Sequence, residues 1–370
     1  MRSLLLAASF PPAMGGVETL LYQTNRRLSD PPLVLAPAPA AAPDIRVQPV
    51  RLKFAAHAAY RPLWAVHPSL HYLQLLFAPA LRAATTWRPR VIQAGHVYLA
   101  PVAWLLARRL GVPFVVYAYG QEVWRAGRPM GLRPLDRLLR GHALRSANAV
   151  LVPGRFTVGL LADWQVRPAR MVGVPYGAEP RPAIAPPSGT TLLSVARLVP
   201  RKGVDTVIRA MPHLAADVEY RVVGGGPEEG RLRTLAQSLG VADRVHFLGR
   251  LSDRALADEY RRCTLFVLPA RRTREGDLEG YGLVYFEAAA WGRPVVAGRS
   301  GGEVDAVVDG QTGVLVDGES TSQVAETLGA LLSDPTRLQA LGAAGRKRVE
   351  TTHNWSRAAA VVDATLADLT

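Results

Sequence analysis

The chain has 370 residues, 49% of them hydrophobic, which is enough for about two domains with substantial cores. Its 44 lysines and arginines outnumber its 30 aspartates and glutamates, so its formal net charge is +14 at pH 7. The single cysteine, Cys263, excludes an internal disulfide and a cysteine-rich metal site, agrees with a reducing compartment, and is expected to lie in a core.

The net charge is confined to the first half of the chain. Residues 1–170 hold 21 Lys and Arg against 6 Asp and Glu (+15), whereas the remainder holds 23 against 24 (−1). This asymmetry predicts an anionic partner, either a membrane surface, an anionic acceptor or nucleic acid. Between Arg51 and Arg90, cationic residues are mixed with leucines and aromatic residues, which is typical of a membrane interface and unlike a nucleic-acid module. We therefore expect an anionic membrane surface or lipid acceptor and no nucleic acid, with solvated basic faces as the alternative.

Strand-like runs alternate with amphipathic segments along the chain, which predicts an α/β fold with parallel sheets that bind ligands at the carboxyl ends of their strands. A proline-rich stretch at residues 178–189 interrupts the alternation and predicts a linker between two doubly wound domains with a cleft between them. The strand candidates are residues 3–8, 33–36, 91–94, 113–118 and 149–152 in the first domain and 191–196, 219–223, 244–247, 264–268, 294–297 and 313–316 in the second.

Two apolar segments of the first half invite a membrane or targeting interpretation. The opening MRSLLLAASF has a short apolar run followed at once by Pro11, so we interpret it as a first strand and not as a signal peptide. The run at residues 97–107 ends at Arg108 and is shorter than the roughly 20 residues needed to span a bilayer. We expect a cytoplasmic protein with at most peripheral attachment to the inner face of the membrane.

Two cations follow the first strand candidate of the second domain. Arg197 and Lys202 stand just beyond residues 191–196, in the segment SVARLVPRKG. A guanidinium and an ammonium together form a good clamp for a diphosphate that gains charge as it leaves. Two ordinary surface cations are the simpler alternative for either residue taken alone.

The segment EGYGLVYFEAAA carries two glutamates, Glu279 and Glu287, around a glycine-bearing turn and the start of a helix. The glycines allow close approach of the backbone, and the first amides of a helix are unpaired donors that suit a phosphate. Together these groups suit a sugar nucleotide, with one carboxylate for its sugar and the other, Glu287, for its ribose. The residues of this turn that we expect to bind the sugar nucleotide, the donor of the sugar, are Gly280, Tyr281, Gly282 and Leu283.

The spacing Glu, seven residues, Glu resembles the signature of the retaining glycosyltransferases of family four, which share the two-domain GT-B fold. The resemblance covers nearly the whole chain and is most specific over residues 194–318. It implies that Arg197 and Lys202 hold the nucleotide diphosphate and that Glu279 acts on the transferred sugar. It also implies domains at 1–177 and 190–352, with a last helix at 353–370 that crosses back to the first domain. The segments GGGP at 224–227 and HFLGR at 246–250 both resemble family loops beside the nucleotide. The further donor-binding residues that they imply are Gly224, Gly225 and, directly after HFLGR, Leu251.

The resemblance also assigns candidates in the first domain. Gly15 and Gly16 match the family's glycine loop, whose amides face the donor diphosphate. Tyr119 occupies the position of a family histidine that helps to hold the sugar, and tyrosine carries no positive charge near neutral pH. On the acceptor side, Glu122 either contacts the acceptor or caps a helix, and His96 is either a second contact or structural.

The function that the resemblance implies is transfer of a hexose, with retention, from GDP-mannose or a UDP-hexose to a membrane lipid or cell-envelope glycan, as in bacterial mannosyl- and glucosyltransferases. No Asp-x-Asp pair occurs, so we expect no metal, and no cofactor beyond the nucleotide-sugar cosubstrate. A soluble small-molecule acceptor is the alternative. From other classes, a non-catalytic nucleotide-sugar-binding protein and a basic nucleic-acid-binding protein stay open.

Overall fold

The computed structural model describes residues 1–13, 15–50, 68–120, 122–123, 134–184 and 189–370. They form two compact units, one of Met1–Tyr176 with Trp355–Thr370 and one of Gly177–Asn354. The sequence predicts a linker at 178–189, whereas residues 178–184 and 189 already belong to the second unit and 185–188 lie outside the described residues. The Ala178 amide donates to the His353 carbonyl at 3.2 Å, so the two chain segments near the unit boundary are hydrogen-bonded neighbours.

The first unit is built on a seven-stranded parallel sheet. Its strands are β1 (Ser3–Leu6), β2 (Leu33–Pro37), β3 (Val47–Val50), β4 (Val91–Ala94), β5 (Phe114–Tyr117), β6 (Ala149–Val152) and β7 (Met171–Gly173), in the spatial order β3-β2-β1-β4-β5-β6-β7. The connecting helices are α1 (Gly16–Asn25), α2 (Pro68–Trp87), α3 (Ala100–Leu110), α4 (Pro134–Ser146) and α5 (Arg155–Ala162), with a 3₁₀ turn at Val97–Leu99.

Helices cover both faces of this sheet. Side chains at alternate strand positions, such as Leu4, Leu6 and Ile92, pack against α2, α3 and α4 on one face. On the other face, beneath α1, the Tyr117 hydroxyl donates to Gln93 Oε1 at 2.8 Å. The sheet is therefore buried between two helical layers, as parallel sheets require.

The second unit repeats the architecture with six parallel strands. They are β8 (Thr191–Val195), β9 (Glu219–Val223), β10 (Val245–Gly249), β11 (Leu265–Leu268), β12 (Val295–Gly298) and β13 (Val314–Val316), in the order β10-β9-β8-β11-β12-β13. The helices are α6 (Val204–Ala210), α7 (Glu229–Ser238), α8 (Asp253–Arg262), α9 (Leu283–Ala290), α10 (Glu303–Ala306), α11 (Thr321–Leu332) and α12 (Pro335–Thr351). The predicted α/β class with two doubly wound parallel sheets is confirmed. Cys263 is 1% exposed and lies in the core of this unit, as predicted.

The last helix, α13 (Trp355–Ala367), belongs to the first unit and packs against α1. Its Asp363 accepts hydrogen bonds from the Ser29 amide (2.8 Å) and hydroxyl (3.1 Å). Within the described ranges, every helix is too short or too polar to cross a membrane. The helix α3 takes up most of the apolar run at 97–107 and ends at Leu110, where Gly111 caps it with a φ of 68°.

Candidate functional site

The second sheet reverses its strand order between β8 and β11, because β9 and β10 lie on one side of β8 while β12 and β13 lie beyond β11. Doubly wound sheets bind ligands at the carboxyl ends of their strands at such a switch point. The loops after β8 and β11 meet at this edge, where the Arg271 amide donates to the Arg201 carbonyl at 2.8 Å. The two predicted cations, Arg197 and Lys202, lie in the first of these loops.

The loop after β8 presents one cation to solvent and buries the other. Arg197 is exposed, whereas Lys202 is only 9% exposed and its ammonium forms an ion pair with the Glu279 carboxylate. Gly203 ends the turn with a φ of 69°, and an added Cβ would overlap the carbonyl of Pro269, directly after β11. The glycine thus lets the loop that carries Lys202 lie against the end of β11.

Glu279 is 8% exposed and is held beside cations. Burial by itself raises its pKa, but the Lys202 ammonium and the Arg201 guanidinium outweigh burial and hold the pKa below its ordinary value. The carboxylate is therefore ionised at neutral pH. The pair joins two candidates that are 77 positions apart in the chain.

The turn after Glu279 leads into the amino end of α9. Gly282 has a φ of 84°, and an added Cβ would overlap the Tyr285 ring, so a glycine is needed here. Within the described part of the chain, no side-chain hydrogen bond caps this end of α9, which leaves its first amides available to an anion. Tyr281 is 6% exposed and packs on Phe286 with ring centroids 5.3 Å apart, so its backbone and not its ring can meet a ligand.

Glu287 lies one turn further along α9. Its Oε2 accepts a hydrogen bond of 2.8 Å from the hydroxyl of Tyr260 on α8. Burial raises the pKa of Glu287, and the Tyr260 hydrogen bond acts against that rise. Tyr260 therefore orients a carboxylate whose other oxygen can accept from a ligand hydroxyl.

Gly224 and Gly225 follow β9 and lie beside the Arg197 loop. The Leu198 amide donates to the Gly225 carbonyl at 3.0 Å, which joins the two loops. The segment 246–250 is not a loop, because His246–Gly249 form most of β10. His246 lies in the amino half of that strand, 3.8 Å from Glu219, and Leu251 lies after its carboxyl end, half-buried.

Sequence reasoning missed Glu303, which stands directly after the glycine pair 301–302. Its side chain is fully buried, and its Oε1 accepts from the Ser300 amide (2.6 Å) and the Gly301 amide (2.9 Å). Gly302 in turn donates to the Glu279 carbonyl at 2.9 Å. Burial raises the pKa of Glu303 to about 7, and its Oε2 has no hydrogen-bond partner within the described part of the chain. The charged residue after two glycines was the signal that could have identified it.

Two further ion pairs brace the loops of this edge and were also missed. Arg201 lies 3.0 Å from Asp277, and Arg271 lies 2.9 Å from Asp205. Arg271 also donates to the Thr206 hydroxyl at 2.7 Å. These contacts fix the loops around Lys202, but nothing in their sequence spacing distinguishes them from surface pairs.

The first unit gathers its candidates at the carboxyl edge of its own sheet. The Tyr119 hydroxyl donates to the Gly95 carbonyl at 3.2 Å, and its ring lies 6.3 Å from that of His96. Burial raises the Tyr119 pKa well above its ordinary value, so the phenol stays protonated. Glu122 accepts from the Tyr119 amide at 2.6 Å, as expected of a residue that caps the start of a helix.

His96 is an uncharged donor. Burial, with help from the Arg140 guanidinium, lowers its pKa to about 3. Its Nδ1 accepts from the Tyr98 amide at 3.3 Å, which leaves the proton on Nε2. At the same edge, Gly15 precedes α1 and Gly16 begins it, and no side chain of the described residues caps that helix end by a hydrogen bond.

Two family models match the chain. The model described as "Glycosyl transferases group 1" covers residues 179–348, and the model described as "Glycosyl transferase 4-like domain" covers residues 16–177. The two matches fall on different units of the structure.

Curated relatives and a solved structure extend the comparison. A GDP-mannose-dependent alpha-(1-6)-phosphatidylinositol monomannoside mannosyltransferase of Mycolicibacterium smegmatis is 38% identical over 272 residues, 67% of this chain and 69% of that protein. A D-inositol 3-phosphate glycosyltransferase of Rhodococcus opacus is 39% identical over 174 residues, 44% of this chain and 38% of that protein. Sucrose-phosphate synthase from Thermosynechococcus elongatus superposes over 100% of this chain and 98% of its own, with a TM-score of 0.81 and 21% identity, which shows the same GT-B-like fold.

Proposed function

The chain belongs to the group 1 glycosyltransferases with a 4-like amino-terminal domain, and we propose that it transfers mannose from GDP-mannose to an inositol-containing membrane lipid. The relative from Mycolicibacterium smegmatis, which aligns over two thirds of this chain, supports this donor and acceptor. We further propose that the enzyme acts at the cytoplasmic face of the membrane, because its first half carries the net charge of +15.

The observation that carries the proposal is the Lys202–Glu279 pair beside the uncapped amino end of α9. This arrangement offers a diphosphate two kinds of positive group, the Lys202 ammonium and the helix amides. Arg197, exposed on the same loop, supplies a third. We assign the diphosphate to these groups and the ribose hydroxyls to Glu287, whose orientation Tyr260 fixes.

Donor binding changes the partner of Lys202. In the free protein its charge is balanced by Glu279, so the buried ammonium is not left uncompensated. A bound diphosphate competes for the ammonium, which frees part of the Glu279 carboxylate to accept hydrogen bonds from the sugar hydroxyls. Glu279 thus serves as a counter-ion without donor and as a sugar ligand with donor.

We propose retention of configuration. The bond from the anomeric carbon to the leaving diphosphate oxygen breaks, and the acceptor hydroxyl enters on the same face. Its proton passes to the leaving diphosphate, which Arg197 and Lys202 stabilise as its charge grows. Because these cations can neutralise that charge, we propose that no metal ion is needed and that the nucleotide sugar is the sole cosubstrate.

The first unit supplies the acceptor side in this proposal. His96 is a neutral donor through Nε2, and Tyr119 stays protonated and accepts at its hydroxyl oxygen. Neither group carries charge at neutral pH, so they can position sugar or inositol hydroxyls through neutral hydrogen bonds. Glu122 positions Tyr119 through its backbone amide.

Two assays test the proposal. A thermal-shift screen of GDP-mannose, UDP-glucose and ADP-glucose is expected to raise the melting temperature most with GDP-mannose, because a ligand that binds only the folded state stabilises it. Radiolabelled GDP-mannose with phosphatidylinositol mannoside in detergent micelles is expected to yield an α-linked mannolipid without added metal. A larger shift of the melting temperature with UDP-glucose would show that the donor carries uracil and not guanine. A β-linked product would refute retention of configuration.

A soluble acceptor is the second candidate, and the relative from Rhodococcus opacus favours it. The aligned part spans 38% of that protein, so it supports this acceptor less than the alignment over 69% of the Mycolicibacterium smegmatis relative supports a lipid. Transfer to inositol phosphate at a higher kcat/KM than to the lipid would establish this alternative.

A further inference from the structure

The outer surface of α2, α3 and α4 combines cationic and apolar side chains. Leu135 and Leu138, one turn apart on α4, are 55% and 65% exposed. The same three helices carry exposed arginines, namely Arg82 on α2, Arg108 and Arg109 on α3, and Arg137 and Arg145 on α4. We call these seven residues the α2–α4 face.

Within the described residues, the α2–α4 face has no exposed carboxylate. The one acidic residue of the three helices, Asp136, is fully buried, where it accepts from the Ser69 amide at 2.9 Å and forms an ion pair with Arg140. The helices on the opposite side of the sheet differ, since α1 carries Glu18 and α13 carries Asp363. Within the described residues, the α2–α4 face therefore presents five arginines and no carboxylate of its own.

The apolar end of this face lies at the catalytic edge of the sheet. In a doubly wound unit the helices run antiparallel to the strands, so the helix amino ends lie at the strands' carboxyl ends. Leu135 and Leu138 occupy the first two turns of α4, on the edge that also holds His96 and Tyr119. The arginines in the last turns of α3 and α4 lie toward the opposite edge.

We propose that the α2–α4 face lies on an anionic bilayer, with Leu135 and Leu138 inserted below the headgroups and the arginines among the lipid phosphates. This inference rests on the proposed function, because a lipid acceptor must be met in its bilayer. Exposed leucines favour a membrane over nucleic acid, since a duplex offers them no apolar phase, whereas the interface of a bilayer does. The leucine end places the acceptor-side groups nearest the lipid.

Vesicle sedimentation tests the assignment directly. Wild-type protein is expected to sediment with phosphatidylcholine vesicles that contain phosphatidylinositol and poorly with phosphatidylcholine alone. Arg108→Gln/Arg109→Gln is expected to weaken binding about 25-fold, at about fivefold for each arginine near an anionic surface. Leu135→Gln/Leu138→Gln is expected to weaken binding roughly tenfold.

The matched control is Arg337→Gln/Lys347→Gln, which removes two exposed cations from α12 of the second unit and is expected to leave vesicle binding unchanged. An unchanged GDP-mannose thermal shift shows that each variant is folded. Wild-type vesicle binding in both test variants overturns the assignment. So does displacement of the protein from vesicles by a DNA duplex at equal phosphate concentration, because the face would then be a general polyanion site.

An assay with the lipid acceptor in detergent micelles tests the proposed mannose transfer separately from the proposed membrane surface. There the face is not required, so both variants are expected to transfer mannose at the wild-type rate while losing activity on vesicles. If no protein transfers mannose in micelles but wild type still binds vesicles through these residues, the proposed function fails and the membrane surface stands.

Discussion

At the level of single residues, the Lys202–Glu279 ion pair balances the charge of the proposed donor site in the free protein. A buried ammonium without a counter-ion costs several kcal/mol, and Glu279 removes that cost in the free protein. Arg197 needs no such partner because it is exposed. The two cations of one loop therefore have different structural demands although their proposed catalytic role is shared.

Arg197→Ala and Lys202→Ala are each expected to lower kcat by 10²-fold or more, the order of effect for a lost group that stabilises charge in the transition state. Arg197→Ala should keep the wild-type melting temperature, whereas Lys202→Ala should lower it because Glu279 then stays buried without its cation. Steady-state kinetics and thermal unfolding separate the two effects. Near-wild-type turnover in both variants would contradict the diphosphate assignment, and Arg337→Ala on α12 is the control.

Glu287→Gln is expected to weaken donor binding about tenfold and to leave the fold intact. The amide oxygen still accepts from the Tyr260 hydroxyl, so only the charge-assisted part of the ribose contact is lost. Calorimetric titration with GDP-mannose measures the change. An unchanged Kd would remove Glu287 from the ribose role, and Tyr260→Phe should show a smaller loss because it only releases the carboxylate from one orientation.

Glu303 is expected to make stability fall as pH rises. Its pKa is about 7 in the folded protein and near 4.5 when unfolded, so between these values the folded state holds a proton that the unfolded chain has released. The contribution of Glu303 to the free energy of unfolding is fully present below about pH 4.5 and declines as the pH rises from about 4.5 to about 7. Above about pH 7 it is lost, a total of about 3 kcal/mol. Thermal unfolding at pH 5 and pH 8 should show this decline in wild type and a flatter profile in Glu303→Gln. Equal pH profiles for the two proteins would exclude a raised Glu303 pKa.

At the level of elements, the sequence predicts every strand of the two sheets except the edge strands of the first, β3 and β7. All six strands of the second sheet were expected, because β11 and β12 are fully buried apolar runs and the others lie between clear turn signals. The strands β3 and β7 were missed. Residues 47–50 include Pro49, and residues 171–173 are only three long, so neither has the apolar period of a central strand.

The candidate site shows the same division between local and long-range information. Loop residues such as Lys202 and Glu279 were predicted because each stands next to a recognisable turn. Their ion pair was not predicted, since 77 positions separate them and the sheet topology brings them together. Glu303 was missed for a related reason, because its burial depends on the glycine turn at 301–302 packing on the Glu279 backbone.

At the level of the whole molecule, the charge asymmetry separates the proposed membrane contact from the proposed donor binding. Residues 1–170 carry +15 and the rest −1, so a surface interaction and donor binding are assigned to different units. The basic and apolar stretch between Arg51 and Arg90 is only partly described, because residues 51–67 lie outside the described ranges. Its described part is α2, which contributes Arg82 to the α2–α4 face.

Salt is therefore expected to release the protein from anionic vesicles without affecting donor binding. Raising the ionic strength from 0.1 M to 1 M shortens the Debye length from about 10 Å to about 3 Å, which screens the arginines of the α2–α4 face from lipid phosphates. The leucine contribution is apolar and persists, so Leu135→Gln/Leu138→Gln should be released at lower salt than wild type. Sedimentation over a salt series measures the release, and the GDP-mannose thermal shift at each salt concentration is the control. Vesicle binding that stays constant up to 1 M salt would show that charge does not hold the enzyme to the membrane.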